Sequence, residues 1–268
     1  MAAVVPVDDA GDPRIADFVG LRAEARRPLD SERAARGAFV VEGALAVRQL
    51  LQSDFRLRSI LLTERGRRAL GDDLEGLEAP VYLATQPVIE AVCGFHFHRG
   101  VLASAERRAL PRTQELAAAA ELLLVIEGVN DHENLGGLFR NAAAFGVDAV
   151  VLDPTAADPL YRRSVRVSMG HVLRVPFARA TTWPADLESL RALEFELVAL
   201  TPALDAEDLH GLTHSRRPAL LVGSEGRGLT GDVLRLADRR VRIPMAPGVD
   251  SLNVSTAVAI ALYQIREP

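Results

Sequence analysis

Three stretches of this chain constrain its fold more than any other feature: ELLLVIEG (121–128), VDAVVLDP (147–154) and ALLVGSEG (219–226) are apolar without alternation. A strand wetted on one face alternates apolar and polar residues, so unbroken runs belong to strands buried on both faces, in a mostly parallel α/β sheet wrapped by helices. The intervening sequence agrees. Residues 135–145, 160–169, 184–193 and 253–266 read as helices, and 172–177, 195–200 and 241–245 as further strands.

Upstream lies a smaller alternating α/β unit. Residues 1–13, with Asp8, Asp9, Gly11, Asp12 and Pro13, read as a flexible tail, and 15–27 as a helix. FVVEGALAVRQLLQ begins as a strand at Phe39 and turns helical. RSILLTE (58–64) is a strand followed by a turn at Gly66, APVYLAT (79–85) a second, PVIEAVCG a short helix closed by Gly94, and GVLASAE (100–106) a last strand. RRALPRTQELAAAAE (107–121) reads as a linker that turns helical. The expected organisation is a tail (1–13), a small domain (14–108), a linker (109–120) and a larger domain (121–268).

With 268 residues, 49% hydrophobic and 25% charged, the chain has the composition of a folded globular protein, which excludes wholesale disorder and a membrane bundle. The N-terminus, MAAVVPVDDAGDPR, lacks a secretory pattern, so a cytoplasmic location and no membrane contact are expected. The single cysteine, Cys93, excludes disulfides and CxxC metal sites, and reads as a small buried apolar residue. No metal is expected. All 31 basic residues are arginine, which removes every chemistry that requires a lysine, including a P-loop or a pyridoxal Schiff base.

The net charge of −5 is unevenly spread. Arg56, Arg58, Arg65, Arg67 and Arg68 face only Glu64 in sequence, and Arg162, Arg163, Arg166, Arg174 and Arg179 fall in a span, 160–180, with no acid. Basic patches on an acidic body are candidate RNA contacts, and Arg56, Arg58, Arg65, Arg162, Arg163 and Arg166 are the residues selected. Arginine suits phosphate better than lysine does.

Ligands of a parallel α/β sheet bind at the carboxyl ends of strands, so the loops there are where chemistry is expected. The first, GVNDHENLGGLFRNAAAFG, places Asn134 where an N-cap belongs, then Gly136 and Gly137, then Arg140 six residues after Asn134. The glycines cost helix propensity and suit a close approach. The second, LLVGSEGRGLT (220–230), sets three glycines around Glu225. The third, RIPMAPGVDSLNVSTAVAIALYQI (242–265), has Ser251, Asn253 and Ser255 together, more polar residues than one cap requires.

In this order the three segments resemble the signature motifs of the SpoU family of RNA ribose 2′-O-methyltransferases, within the SPOUT superfamily: NLGGLFRNAAAFG the first, VGSEGRGLT the second, IPMAPGVDSLNVSTAVAIALYQ the third. VRVSMGHVLRVP (165–176) resembles the segment between motifs, so the likeness covers about 122–268. The departures are DHEN (131–134), which lacks the proline often found before the asparagine, and Met169 and His171 where alanine is usual. FVVEGALAVRQLL and RSILLTERG also resemble an RNA-binding domain that precedes the catalytic domain in several rRNA-modifying members.

The resemblance implies a trefoil-knotted catalytic domain, S-adenosylmethionine as cofactor, RNA as substrate with large-subunit rRNA favoured over tRNA, no DNA, and a homodimer joined through the last helix. Carried over by motif, Thr201, Gly223, Gly226, Ile243, Met245 and Leu252 would hold the cofactor. Arg140 would be the central catalytic residue, with Asn134, Glu225, Ser251 and Asn253 fixing its geometry. A guanidinium with a pKa above ~12 is a poor base, so phosphate binding and stabilisation of the developing alkoxide suit Arg140 better. A non-catalytic RNA-binding protein on the same scaffold is the competing class, and the five polar residues speak against it. A nicotinamide dehydrogenase would need GxGxxG with an acid ~20 residues on, an arrangement the chain lacks.

Overall fold

Among the described residues, twelve strands form two sheets, one in each of two compact units. The computed structural model describes residues 4–22, 37–210, 212 and 217–266. The first unit comprises residues 1–109 with 158–174 and the second 110–157 with 175–268.

The first unit holds β1 (Val4–Val7), β2 (Ala38–Glu42), β3 (Leu57–Leu62), β4 (Val81–Ala84) and β5 (Val101–Glu106) in the order β1-β4-β3-β5-β2. Its helices are α1 (Ala44–Leu51), α2 (Glu64–Leu70) and α3 (Gln86–Cys93). Two expectations are corrected here. Residues 4–7, read as tail, are β1, an edge strand paired in parallel with β4; the VVPV sequence has β-branched residues, and an edge position leaves Pro6 without a ladder bond to lose. Residues after β3 form α2 rather than a turn at Gly66. Thr63 caps that helix by accepting from Gly66 N at 3.2 Å, and a Cβ on Gly66 would lie 1.9 Å from Gly100 O, so the glycine serves close packing. The expected helix at 15–27 is a 3-10 helix over Pro13–Phe18, and 23–27 lie outside the described residues. Cys93 is fully buried in the core with Phe18, Ile89 and Phe97.

Residues 158–174 were expected within the larger domain, yet they pack with the first unit. They include α6 (Arg162–Val167), which follows α4 (Thr113–Ala118) and α5 (His132–Ala144) in the chain. Arg162 pairs with Glu42, whose side chain is 5% exposed, and its guanidinium lies 4.5 Å over the Phe95 ring. Arg107 pairs with Asp158, and a Cβ on Gly170 would lie 2.8 Å from the Gln49 side chain. A buried carboxylate needs its partner, and this need draws the segment onto β2.

The second unit is a seven-stranded sheet, all parallel, in the order β10-β12-β9-β11-β6-β7-β8. Its strands are β6 (Leu123–Glu127), β7 (Ala149–Leu152), β8 (Phe177–Arg179), β9 (Phe195–Leu200), β10 (Glu207–Asp208), β11 (Arg217–Gly223) and β12 (Arg239–Arg242). β6 and β7 are buried along their whole length, as the unalternating runs require. The strand expected at 172–177 is instead a 3-10 turn at His171–Leu173 followed by β8, because Pro176 has no amide for the ladder. The helices are α4, α5, α7 (Asp186–Ala192), α8 (Gly231–Leu236) and α9 (Val254–Arg266). None among the described residues is long and apolar enough to cross a membrane.

Candidate active site

Parallel strands put all their carboxyl ends on one edge, and four neighbours, β12, β9, β11 and β6, bring distant residues there together. Gly223 ends β11, Thr201 follows β9, and Ile243 follows β12. Thr201 N donates to Val241 O at 2.9 Å, which ties the ends of β9 and β12. Met245 lies two residues beyond Ile243 in a loop, and Leu252 lies two residues before the start of α9.

The loop after β11 folds back on itself. Gly228 N donates to Ser224 O at 2.9 Å, and a Cβ on Gly223 would lie 2.0 Å from the Gly228 carbonyl carbon, so only glycine fits. Gly226 has φ +83°, and nothing lies within 4 Å of where its Cβ would be. The result is a tight loop with an open outer face and Glu225 exposed at its tip.

The junction of the three loops is Asn253. Its Nδ2 donates to Asn134 Oδ1 at 2.8 Å and to Glu225 Oε1 at 2.7 Å, while its Oδ1 accepts from Ser255 N at 3.0 Å and Thr256 N at 3.3 Å. One side chain thus caps α9 and ties it to α5 and to the glycine loop. The cap of α5 is Asp131, whose Oδ1 accepts from Glu133 N and Asn134 N, not Asn134 as expected. The helix begins at His132, a turn earlier than its apolar spacing suggested, and this frees the Asn134 carboxamide for the junction.

Asn134, Gly137 and Asn141 lie at helical spacing on one stripe of α5, and α9 packs along it. A Cβ on Gly137 would lie 2.4 Å from Ser255 Oγ, and Asn141 Nδ2 donates to Ser255 O at 2.6 Å and to its Oγ at 3.1 Å. Sequence reasoning did not select Asn141. Its signal was the polar residue seven positions after Asn134, which repeats the face that holds the asparagine.

Arg140 sits about 120° round the helix from Asn134 by the 3.6-residue period, exposed, and among the described residues no carboxylate pairs with it. The structure brings Asn134, Glu225 and Asn253 together but not Arg140. Ser251 is exposed, two residues before the cap, and is likewise outside the hydrogen-bonded junction.

Residues 121–263 match the profile of the SpoU rRNA Methylase family. The chain belongs to that family. A SpoU relative in Mycobacterium bovis, an uncharacterized tRNA/rRNA methyltransferase, is 49% identical over 97% of this chain and 91% of its own length. The Bacillus subtilis 23S rRNA (guanosine(2553)-2′-O)-methyltransferase RlmP is 28% identical over 97% of this chain and 98% of its own. Among solved structures, an AdoMet-bound rRNA methyltransferase from Sinorhizobium meliloti superposes with a TM-score of 0.79 at 26% identity, covering 97% of both chains. As a SpoU family member the protein is an RNA methyltransferase, and the junction at Asn253 is where its three signature segments meet.

The arginines selected for RNA fare unequally. The Arg162 side chain is 18% exposed and paired with buried Glu42, which gives it a task within the fold. Arg58 pairs with Asp17 at 2.9 Å, and Arg56 with Glu106 at 3.3 Å, although the Arg56 side chain is 79% exposed. Arg65 and Arg163 are exposed and Arg166 half-buried. Arg179 binds the backbone carbonyls of Asp153, Ala156 and Ala157, and so closes the loop after β7. His96 and His98 lie outside the strands, and their rings stack with centroids 5.7 Å apart.

Proposed function

We propose that this protein methylates a ribose 2′-hydroxyl in RNA, with large-subunit rRNA as the substrate and S-adenosylmethionine as the methyl donor. The observation that carries the reading is the Asn253 junction, which joins the three motif loops at the carboxyl edge, while Arg140 stands exposed on the same helix, α5, with no carboxylate paired to it among the described residues. The donor fits the chemistry available. It is a sulfonium without phosphates, so a lysine-free, glycine-lined loop with an open outer face suits it, and bound there it supplies an activated methyl group. Backbone groups of Thr201, Gly223, Gly226, Ile243, Met245 and Leu252 would hold it.

The protein's own task is then alignment of the sugar oxygen and stabilisation of charge. Arg140 would bind the phosphate beside the target ribose and stabilise the oxygen as it loses its proton. Asn134, Glu225 and Asn253 would set the loops against which the ribose lies, with Ser251 closing the site from the α9 side. Arg56, Arg58, Arg65, Arg163 and Arg166 would contact the RNA backbone. The rRNA assignment is supported by the name of the Bacillus relative, similar over its full length. A homodimer through α9 is part of the proposal, supported by the exposure of Ile260 (40%) and Tyr263 (56%) on that helix.

Arg140→Ala tests the role of the guanidinium. Methyl transfer should disappear while S-adenosylmethionine binds as before; an active variant refutes the role. Mapping 2′-O-methyl groups in rRNA and tRNA from a deletion strain tests the substrate, and a missing methyl group in tRNA alone refutes the rRNA assignment.

A further inference from the structure

At the carboxyl end of β6 stands a charge that neither the motifs nor the proposed mechanism uses. Glu127 is 5% exposed, and no cation among the described residues pairs with it. Its carboxylate is held by neutral donors instead. Oε1 accepts from Trp183 Nε1 at 2.8 Å and from Thr230 Oγ1 at 2.8 Å, and Oε2 accepts from Thr230 N at 2.8 Å. Thr230 Oγ1 also accepts from Val233 N at 3.4 Å as the cap of α8, so its one proton is committed to Glu127.

These partners enclose the glycine loop. Gly223, where the loop begins, is the register partner of Glu127 on the β6–β11 ladder, and Thr230, where it ends, is bound to the Glu127 side chain. Both ends of residues 224–229, including Glu225 and Gly226, are therefore fixed to a single residue. A carboxylate buried this far is costly unless its hydrogen bonds are kept, so the loop cannot drift without exposing an unpaired charge.

We infer that Glu127 is a positioning residue that holds the 224–229 loop in its donor-binding shape, and that Trp183 reports optically on that loop. The inference rests on the reading of the loop as the S-adenosylmethionine site. Trp183 is the chain's single tryptophan, so its emission is unambiguous.

Glu127→Gln is nearly isosteric but cannot replace the carboxylate. In one amide orientation its NH2 faces the Thr230 N–H, in the other the indole N–H, and either way two donors collide. Loss of a hydrogen bond to a charged group converts to about a tenfold change in affinity. In the full-length protein, titration with S-adenosylmethionine should alter Trp183 emission in the wild type. In E127Q the dissociation constant should rise about tenfold and the emission response should vanish. Asp148→Asn is the control: Asp148 accepts from Glu121 N and Leu122 N, both at 2.9 Å, at the opposite end of β6, and its loss should cost stability without changing affinity. If E127Q does not fold, Thr230→Val removes one donor and should weaken binding about threefold. Wild-type affinity in a folded E127Q, or in T230V where E127Q fails to fold, overturns the inference, as does an equal loss of affinity in D148N. Failure of the wild type to bind S-adenosylmethionine overturns the reading of the site itself.

Discussion

Asn253 combines two tasks that a single substitution can separate. Asn253→Ala removes the cap of α9, worth about 1 kcal/mol, together with both donors to Asn134 and Glu225. For a chain of this size that is a fall in Tm of about 2–4 °C. Asn253→Asp keeps an acceptor for Ser255 N and Thr256 N and places a negative charge at a helix N-terminus, which adds about 0.3–1 kcal/mol. It also sets one carboxylate against another, Glu225, whose Oε1 now sits 2.7 Å from Asn253 Nδ2. At a relaxed separation of about 4 Å the repulsion is about 1 kcal/mol in water, and the exposure of both residues keeps it near that figure. Cap and repulsion then nearly cancel, so the Asp variant should melt close to the wild type and above the Ala variant. Its activity should nevertheless fall by about 10²-fold, the usual effect of a displacement of about 1 Å at a reacting centre. Thermal melts and methyl transfer from labelled S-adenosylmethionine to rRNA measure the two quantities. An Asp variant that is fully active, or one less stable than the Ala variant, refutes the bridging role.

Two further substitutions probe packing. Gly137→Ala places a Cβ 2.4 Å from Ser255 Oγ and should cost about 1–3 kcal/mol in chemical denaturation, with Ser255→Gly in the same chain restoring most of it. Arg162→Ala leaves the Glu42 carboxylate, 5% exposed, with only Arg99 at 3.6 Å, and should destabilise the first unit by about 3–5 kcal/mol; a loss under 1 kcal/mol would return Arg162 to the RNA-binding set.

The order of the α/β elements was legible because strand burial writes itself into local sequence: β6, β7 and β11 are continuous apolar runs, and α9 is a long apolar-periodic segment. Short elements were harder. β1 is four residues with a proline inside it, and its strand state comes from pairing with β4, seventy-odd residues away. The polar junction was legible as composition. That Asn134, Glu225 and Asn253 belong to one site followed from the order of three motifs, but which atom meets which did not. Asn134 read as a cap because the helix start was placed too late, and the error concealed its carboxamide as the partner of Asn253. Glu127 lies outside the three motifs, and Asn141, though inside the first, is marked there only by its spacing from Asn134. Each is recognisable only once its partners, Thr230 and Ser255, are known to be adjacent.

The sequence by itself determined what each segment could become: buried strands, capped helices, glycine turns, and a lysine-free set of polar loops at strand ends. Tertiary structure alone decided the pairings, such as Asn253 with Glu225, Glu127 with Thr230, and Arg162 with Glu42. The physical reason is range. Propensity and periodicity act over a few residues and are written locally, whereas a hydrogen bond or ion pair depends on which distant donor the packed core brings within about 3 Å of its acceptor.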